Sequence, residues 1–171
     1  IVKELQAEGS DVRILHGGDF LYPSLESQLW HGMQIVEAMN YLDDLAPMYV
    51  ALGNHEFDPR SPEHLINAVR GSSFDWLGDN VDFATGDIKV DAHLRKTFTF
   101  EHGDRLIGLF SLTLHPNDGG NVRDYLRYED DYVSVARTAI KALVHGTAAG
   151  LGILIAALGV VQLSRSQEAP G

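Results

Sequence analysis

The sequence predicts an α/β fold, and three observations predict it. Short apolar runs at residues 11–15, 48–52 and 74–77 have strand length and end in polar or glycine-bearing loops. Between the first two lies a stretch with helical periodicity, in which Leu29, Met33, Val36, Met39 and Leu42 recur every three or four residues. The two loops that follow the first two strands are rich in side chains able to do chemistry. Strand, polar loop, helix, strand, polar loop, helix is the order of a parallel α/β unit, whose functional groups gather at the carboxyl ends of the strands.

Ile1, Val2 and Leu5 read as the end of an amphipathic helix. Val12, Ile14 and Leu15 form the first strand, expected to be buried, and Gly17-Gly18 ends it. One helix is expected over residues 24–44. Pro47 interrupts, and residues 48–52 give the second strand. Ser61 is a plausible N-cap for a helix over residues 62–70. After the third strand, residues 78–87 read as loop. Residues 97–100 and 106–112 read as a β-hairpin around Glu101-His102-Gly103-Asp104. Residues 117–121 are loop again. Val133, Ala136, Ile140 and Leu143 mark a second amphipathic helix, with Glu129-Asp130-Asp131 as its solvated cap. Trp30 and Trp76 are expected to anchor the core.

The tail is unusual. Residues 142–164 contain no Asp, Glu, Lys or Arg, and residues 146–161 are almost wholly Gly, Ala, Leu, Ile and Val. A membrane span needs about 20 apolar residues, so a buried strand or helix is the favoured reading. A membrane-attached interaction protein, anchored by this tail, is the rival.

At 171 residues, with 44% hydrophobic residues, the chain has the size and core of one domain. Its net charge is −11, from 24 acidic and 13 basic residues, which argues against nucleic acid as a bulk electrostatic partner. Cysteine is absent, so disulfides, zinc fingers and thiol catalysis are excluded. There is no glycine-rich phosphate loop with a Lys and no Gly-x-Ser-x-Gly elbow.

The informative segments are Gly17-Gly18-Asp19-Phe20 and Gly53-Asn54-His55-Glu56-Phe57-Asp58. Metal-assisted phosphoester hydrolysis needs two cations about 3.5–4 Å apart, a carboxylate to bridge them and a donor near the leaving oxygen. Asp19 can share its two oxygens between ions. Asn54 can offer a neutral carbonyl ligand. His55 can face phosphate, and Asp58 can hold its imidazole in place. Singly, each residue has a blander role in a turn or cap. Jointly, two such clusters at strand ends, separated by one helix, point to a site.

Gly18-Asp19-Phe20-Leu21-Tyr22-Pro23-Ser24 and Gly53-Asn54-His55-Glu56-Phe57-Asp58 resemble the second and third signature blocks of calcineurin-like metallophosphoesterases. The Phe57-Asp58 extension is similar to the 5′-nucleotidase branch, which also holds cyclic phosphodiesterases and UDP-sugar hydrolases. The segments 73–81 and 106–110 resemble later strands of that branch. The resemblance implies a partial four-layer αββα metallophosphoesterase sandwich with two divalent ions. It implies Asp19 as bridging ligand and Asn54 as ligand of one ion, with His55 and Asp58 as the catalytic pair. A small phosphate ester, a nucleotide, would be the substrate. Relatives of this branch often work outside the cytoplasm.

The family's opening Asp-x-His block and its later histidine ligands have no counterpart here. His115 and His145 are weak candidates for the latter, and the apolar run 152–158 could be the strand that precedes them. Residues 1–171 are therefore expected to be a single, incomplete domain with an atypical tail at 146–171, and the rival functional reading is a catalytically incomplete fragment. Of the other histidines, His16 is read as a packed strand-end residue beside the site. His31 and His64 are read as solvent-facing on helices, and His93 and His102 as loop and turn residues.

Overall fold

The computed structural model describes residues 1–103, 105–114, 123–146 and 154–158. Helix α1 (Val2–Ala7) leads into strand β1 (Ile14–His16). Two helices follow, α2 (Leu25–Trp30) and α3 (Met33–Leu45), then β2 (Met48–Ala51), a 3-10 turn at His55–Phe57, α4 (Glu63–Gly71) and β3 (Asp75–Leu77). The order continues with β4 (Val81–Phe83), α5 (Ile88–Asp91), β5 (Phe98–His102), β6 (Arg105–Ser111), β7 (Leu126–Tyr128), α6 (Tyr132–Gly146) and β8 (Leu154–Leu158).

Strands β1, β2 and β3 form a parallel sheet in that order, with Ile14 opposite Met48 and Val50 opposite Trp76. A second sheet has the order β5-β6-β8, with the β5–β6 hairpin antiparallel and β8 parallel to β6. Strands β4 and β7 form a small antiparallel pair.

The side-chain alternation of β2 explains how the layers stack. Met48, Val50 and Leu52 point to one face and join a core built from Val36 and Met39 of α3, Leu65, Ala68 and Val69 of α4, and Trp76. Tyr49 points to the other face, where it meets Leu77, Leu109, Phe98 and Phe100. Strand β6 repeats the pattern: Leu109 faces the first sheet, whereas Phe110 packs with Ala139 and Leu143 of α6. Helices, sheet, sheet and helix are thus the four layers of an αββα sandwich. A strand buried on both faces must be apolar at consecutive positions, which is why residues 48–52 show no polar alternation.

Several expectations need correction. The helix expected over 24–44 is two helices, broken at His31 (φ 57°) and Gly32 (φ 80°), both left-handed. The break turns α2 outward, so Leu29 and Trp30 are exposed and Trp30 is no core anchor; Trp76 is fully buried, as expected, and donates its indole N–H to Ser72. Strand β1 is only partly buried, with Leu15 40% exposed. The loop expected over 78–87 contains β4, whose partner β7 also carried no clear sequence signal. Ser61 accepts from the Glu63 amide at 3.4 Å beside the start of α4, but Pro62 occupies the N-cap position.

Helix α5 had no counterpart among the expected elements, and the remaining ones match. Asp131 accepts from the Ser134 amide at 2.9 Å at the start of α6. The run 152–158 contributes β8. Among the described residues no helix is long and apolar enough to cross a membrane. Loop 117–121 and His115 lie outside the described residues, while His145 falls within α6 rather than after a strand.

Candidate active site

Because β1 and β2 are parallel neighbours in register, the loops that follow them leave the same edge of the sheet. Two glycines let those loops touch. A Cβ on Gly18, itself at φ 89°, would lie 2.2 Å from the Gly53 nitrogen, and one on Gly53 would lie 2.1 Å from Asp19 Oδ1. Neither position has room for any other residue. Asp19 adopts φ 59°, a conformation that costs a non-glycine residue on the order of 1–3 kcal/mol and that proteins retain mainly at functional sites.

The geometry that results joins the predicted residues. Asp19 Oδ1 accepts from the His55 amide at 3.0 Å. Its second oxygen and the Asn54 carboxamide make no hydrogen bond among the described residues. His55 Nδ1 lies 2.9 Å from Asp58 Oδ2. A carboxylate only accepts, so Nδ1 carries the proton and Nε2 is left for a ligand. Burial alone lowers the His55 imidazole, but the bond to Asp58 and the charges of Asp58, Asp19 and Glu56 outweigh it and hold the ring above the ordinary histidine value. Hydrogen bonds therefore link Asp19, His55 and Asp58 at one strand edge, and Asn54 precedes His55 in the same loop.

The residue that sequence reasoning passed over is Glu56. It is 1% exposed. Its Oε1 accepts from Phe20 N (2.8 Å) and Leu21 N (3.2 Å), and its Oε2 from Asp19 N (2.9 Å) and Gly53 N (2.7 Å). One carboxylate thus binds four amides drawn from both loops. Burial pushes its carboxyl above the ordinary value, against the pull of the amides of Asp19, Phe20 and Leu21. A glutamate one residue from His55 looks like a further ligand or a surface charge; only the fold turns it inward.

The second loop is fixed at both ends. Thr113 donates its hydroxyl to the Leu52 carbonyl at 2.9 Å. Arg123 donates to the Asp58 and Pro59 carbonyls at 2.6 and 2.9 Å, and Tyr125 to Pro59 at 2.8 Å. Nothing in the sequence marked these partners, since each lies about 60 positions from its target. His16 accepts from the Gly18 amide on Nδ1 at 3.1 Å, and burial lowers its pKa against the opposing charge of Asp19. It packs beside the site, as expected. His64 is half-buried rather than solvent-facing, with its ring against His31.

A family model of the calcineurin-like phosphoesterases matches residues 1–156. The chain belongs to that family. Among solved structures, this phosphoesterase chain is similar to the NAD nucleotidase NadN of Haemophilus influenzae, with a TM-score of 0.71 and 19% identity over 91% of the chain. It is also similar to a 5′-nucleotidase precursor from Thermus thermophilus (TM-score 0.66, 22% identity, 91% of the chain). The sulfate thiohydrolase SoxB of the same organism shares the fold too (TM-score 0.67, 15% identity, 91% of the chain). The chain spans 30%, 29% and 27% of the lengths of these proteins, respectively. No curated protein matches the sequence. At these identities the likeness is one of fold.

Phosphoesterases of this family generally use divalent ions. The uncommitted oxygens of Asp19 and Asn54 are hard donors of the kind such ions take, and they fit that part of a metal centre. Among the described residues, no group of three or more His, Asp or Glu side chains gathers as a fuller ligand set.

Proposed function

We propose that this phosphoesterase chain hydrolyses phosphate esters of nucleotides in a reaction that depends on divalent metal ions held in part by Asp19 and Asn54. The observation that carries the reading is the Asp19 carboxylate. It is strained, wedged against Gly53 and bonded to the His55 amide through one oxygen only, so its other oxygen stays available at the loop that carries Asn54. Divalent ions bound there would neutralise phosphoryl charge and make water nucleophilic at neutral pH. Asp19 would supply the shared carboxylate and Asn54 a neutral oxygen. His55, with Nδ1 given to Asp58, would present Nε2–H to the phosphoryl or leaving oxygen. Asp58 would keep that ring oriented and favour its cationic form. The nucleotide as substrate comes from the fold shared with nucleotidases.

The test is phosphate release from a nucleoside monophosphate with Mn²⁺, Zn²⁺ or Co²⁺ present. Activity should vanish on chelation and in Asp19→Asn, and should fall by about 10²–10⁴-fold in His55→Asn. No release with any of the three ions would overturn the proposal for this chain. Calorimetry separates the rival reading: two tightly bound equivalents of metal would contradict a catalytically incomplete fragment.

A further inference from the structure

We infer that Arg123 and Tyr125 are positioning residues for the His55–Asp58 pair, and that the β4–β7 ribbon is the support from which they act. The inference rests on the roles proposed above for His55 and Asp58. It extends them to a segment that has no place in the chemistry itself.

The turn that carries the pair is weakly held from within. Its two backbone bonds, from the Phe57 amide to the Asn54 carbonyl and from the Asp58 amide to the His55 carbonyl, are both 3.3 Å long, against a common value of about 2.9–3.0 Å. Pro59 follows at once and has no amide hydrogen with which to brace the chain. Yet Asp58 Oδ2 lies 2.9 Å from His55 Nδ1, and that contact needs the Asp58 backbone to point its carboxylate one way.

Three outside donors supply the hold, each on a shorter bond. Arg123 donates from Nη2 to the Asp58 carbonyl at 2.6 Å and from Nε to the Pro59 carbonyl at 2.9 Å. The Tyr125 hydroxyl donates to the same Pro59 carbonyl at 2.8 Å. A planar guanidinium can span two consecutive carbonyls, which a lysine ammonium cannot match in geometry. Fixing the two peptide planes after the Asp58 Cα fixes the direction in which its side chain leaves the chain. The clamp is itself anchored. Tyr125 is 6% exposed, its carbonyl accepts from the Ala84 amide at 2.8 Å next to β4, and the Leu126 amide closes a turn onto the Arg123 carbonyl at 3.1 Å. Tyr128 of β7 sets its ring edge against Phe57, which is fully buried within the same turn. Thus the short ribbon β4–β7 bears on the turn at Phe57, Asp58 and Pro59.

The experiment is a double-mutant cycle on the full chain, with a nucleoside monophosphate and Mn²⁺, joined to proton NMR of the metal-free chain. Arg123→Lys combined with Tyr125→Phe should lower kcat by about tenfold or more and leave KM within about twofold. In an Asp58→Ala background the same two changes should cost nothing further, because the carboxylate they orient is gone. Without metal, the His55 Nδ1 proton of the wild type should give a downfield resonance that is absent from Asp58→Ala. The combined variant should lose it while its amide spectrum stays that of a folded chain. A kcat that falls by the same factor with and without Asp58 would overturn the inference, since a general loss of structure behaves that way. So would a downfield proton unchanged in the combined variant. Tyr125→Phe alone, which removes one hydroxyl from a buried ring, serves if the combined variant does not fold: its His55 proton should exchange with solvent faster than in the wild type, and equal rates would overturn the inference. A wild type that releases no phosphate defeats the proposed function by itself, and the NMR comparison then decides the clamp alone.

Discussion

Glu56 and the glycines around it show how single residues define this site. Four amide donors from two loops end on one carboxylate with no access to solvent. Replacing it with glutamine keeps the shape but turns an NH₂ group toward donors that need an acceptor. Leaving a buried donor unmatched costs about 1–3 kcal/mol, so Glu56→Gln should lower unfolding free energy by at least that amount in urea titration. An unchanged midpoint would mean the amides do not depend on the charge. The sequence displayed Asp19, Asn54, His55 and Asp58 because their residue types are those of metal and phosphate chemistry. Glu56 was hidden because its role depends on the first loop lying over it, and that contact spans 35 to 37 positions of chain.

Among the elements, those with a compact apolar run or a helical period were legible, whereas β4, β7 and the break between α2 and α3 were not. Helix α6 and the β5–β6 hairpin follow from periodicity and turn chemistry alone. Strands β4 and β7 have three residues each and stabilise one another across more than 40 positions, so neither carries a local pattern. The interruption between α2 and α3 did have a signal, Gly32, whose missing side chain makes room for Leu21; a Cβ there would meet the Leu21 side chain at 2.8 Å. Helix α5 owes its start to Asp87, which accepts from the amides of Lys89 and Val90 at 3.1 and 3.3 Å and pairs with Arg70. The Val90 amide, more than the Arg70 charge, holds the Asp87 carboxyl below its ordinary value of 3.8. A carboxyl depressed in the folded state adds stability above its unfolded pKa and loses it as pH falls through the folded one. The difference in melting temperature between wild type and Asp87→Ala should therefore be full at neutral pH and close progressively below pH 3.8. A difference that persists unchanged at lower pH would show that the cap does not act through its charge.

For the molecule as a whole, the four-layer arrangement was implied by resemblance to the family, and the physical reason for it emerges from β2 and β6. Each strand is apolar on both faces, so each must be covered twice, by helices outside and by the other sheet inside. The inter-sheet layer is small, centred on Tyr49, Leu77 and Leu109. Leu109 is fully buried there, and Leu109→Ala should cost about 2–5 kcal/mol through the cavity it leaves, measured by denaturant unfolding. A loss near zero would mean that the two sheets do not pack as a single core. The same stacking fixes the site, because Thr113, just beyond the end of β6, reaches across to hold Leu52 at the root of the Asn54 loop.

The central claim, that Asp19 and Asn54 share one cation pocket, is tested most directly by Mn²⁺ binding followed by electron paramagnetic resonance. Wild-type chain should bind Mn²⁺ stoichiometrically. Asp19→Asn and Asn54→Ala should each weaken binding at least tenfold, and so should Gly53→Ala, which pushes the Asp19 carboxylate aside without touching a ligand. Equal Mn²⁺ affinity in the wild type and all three variants would contradict the account.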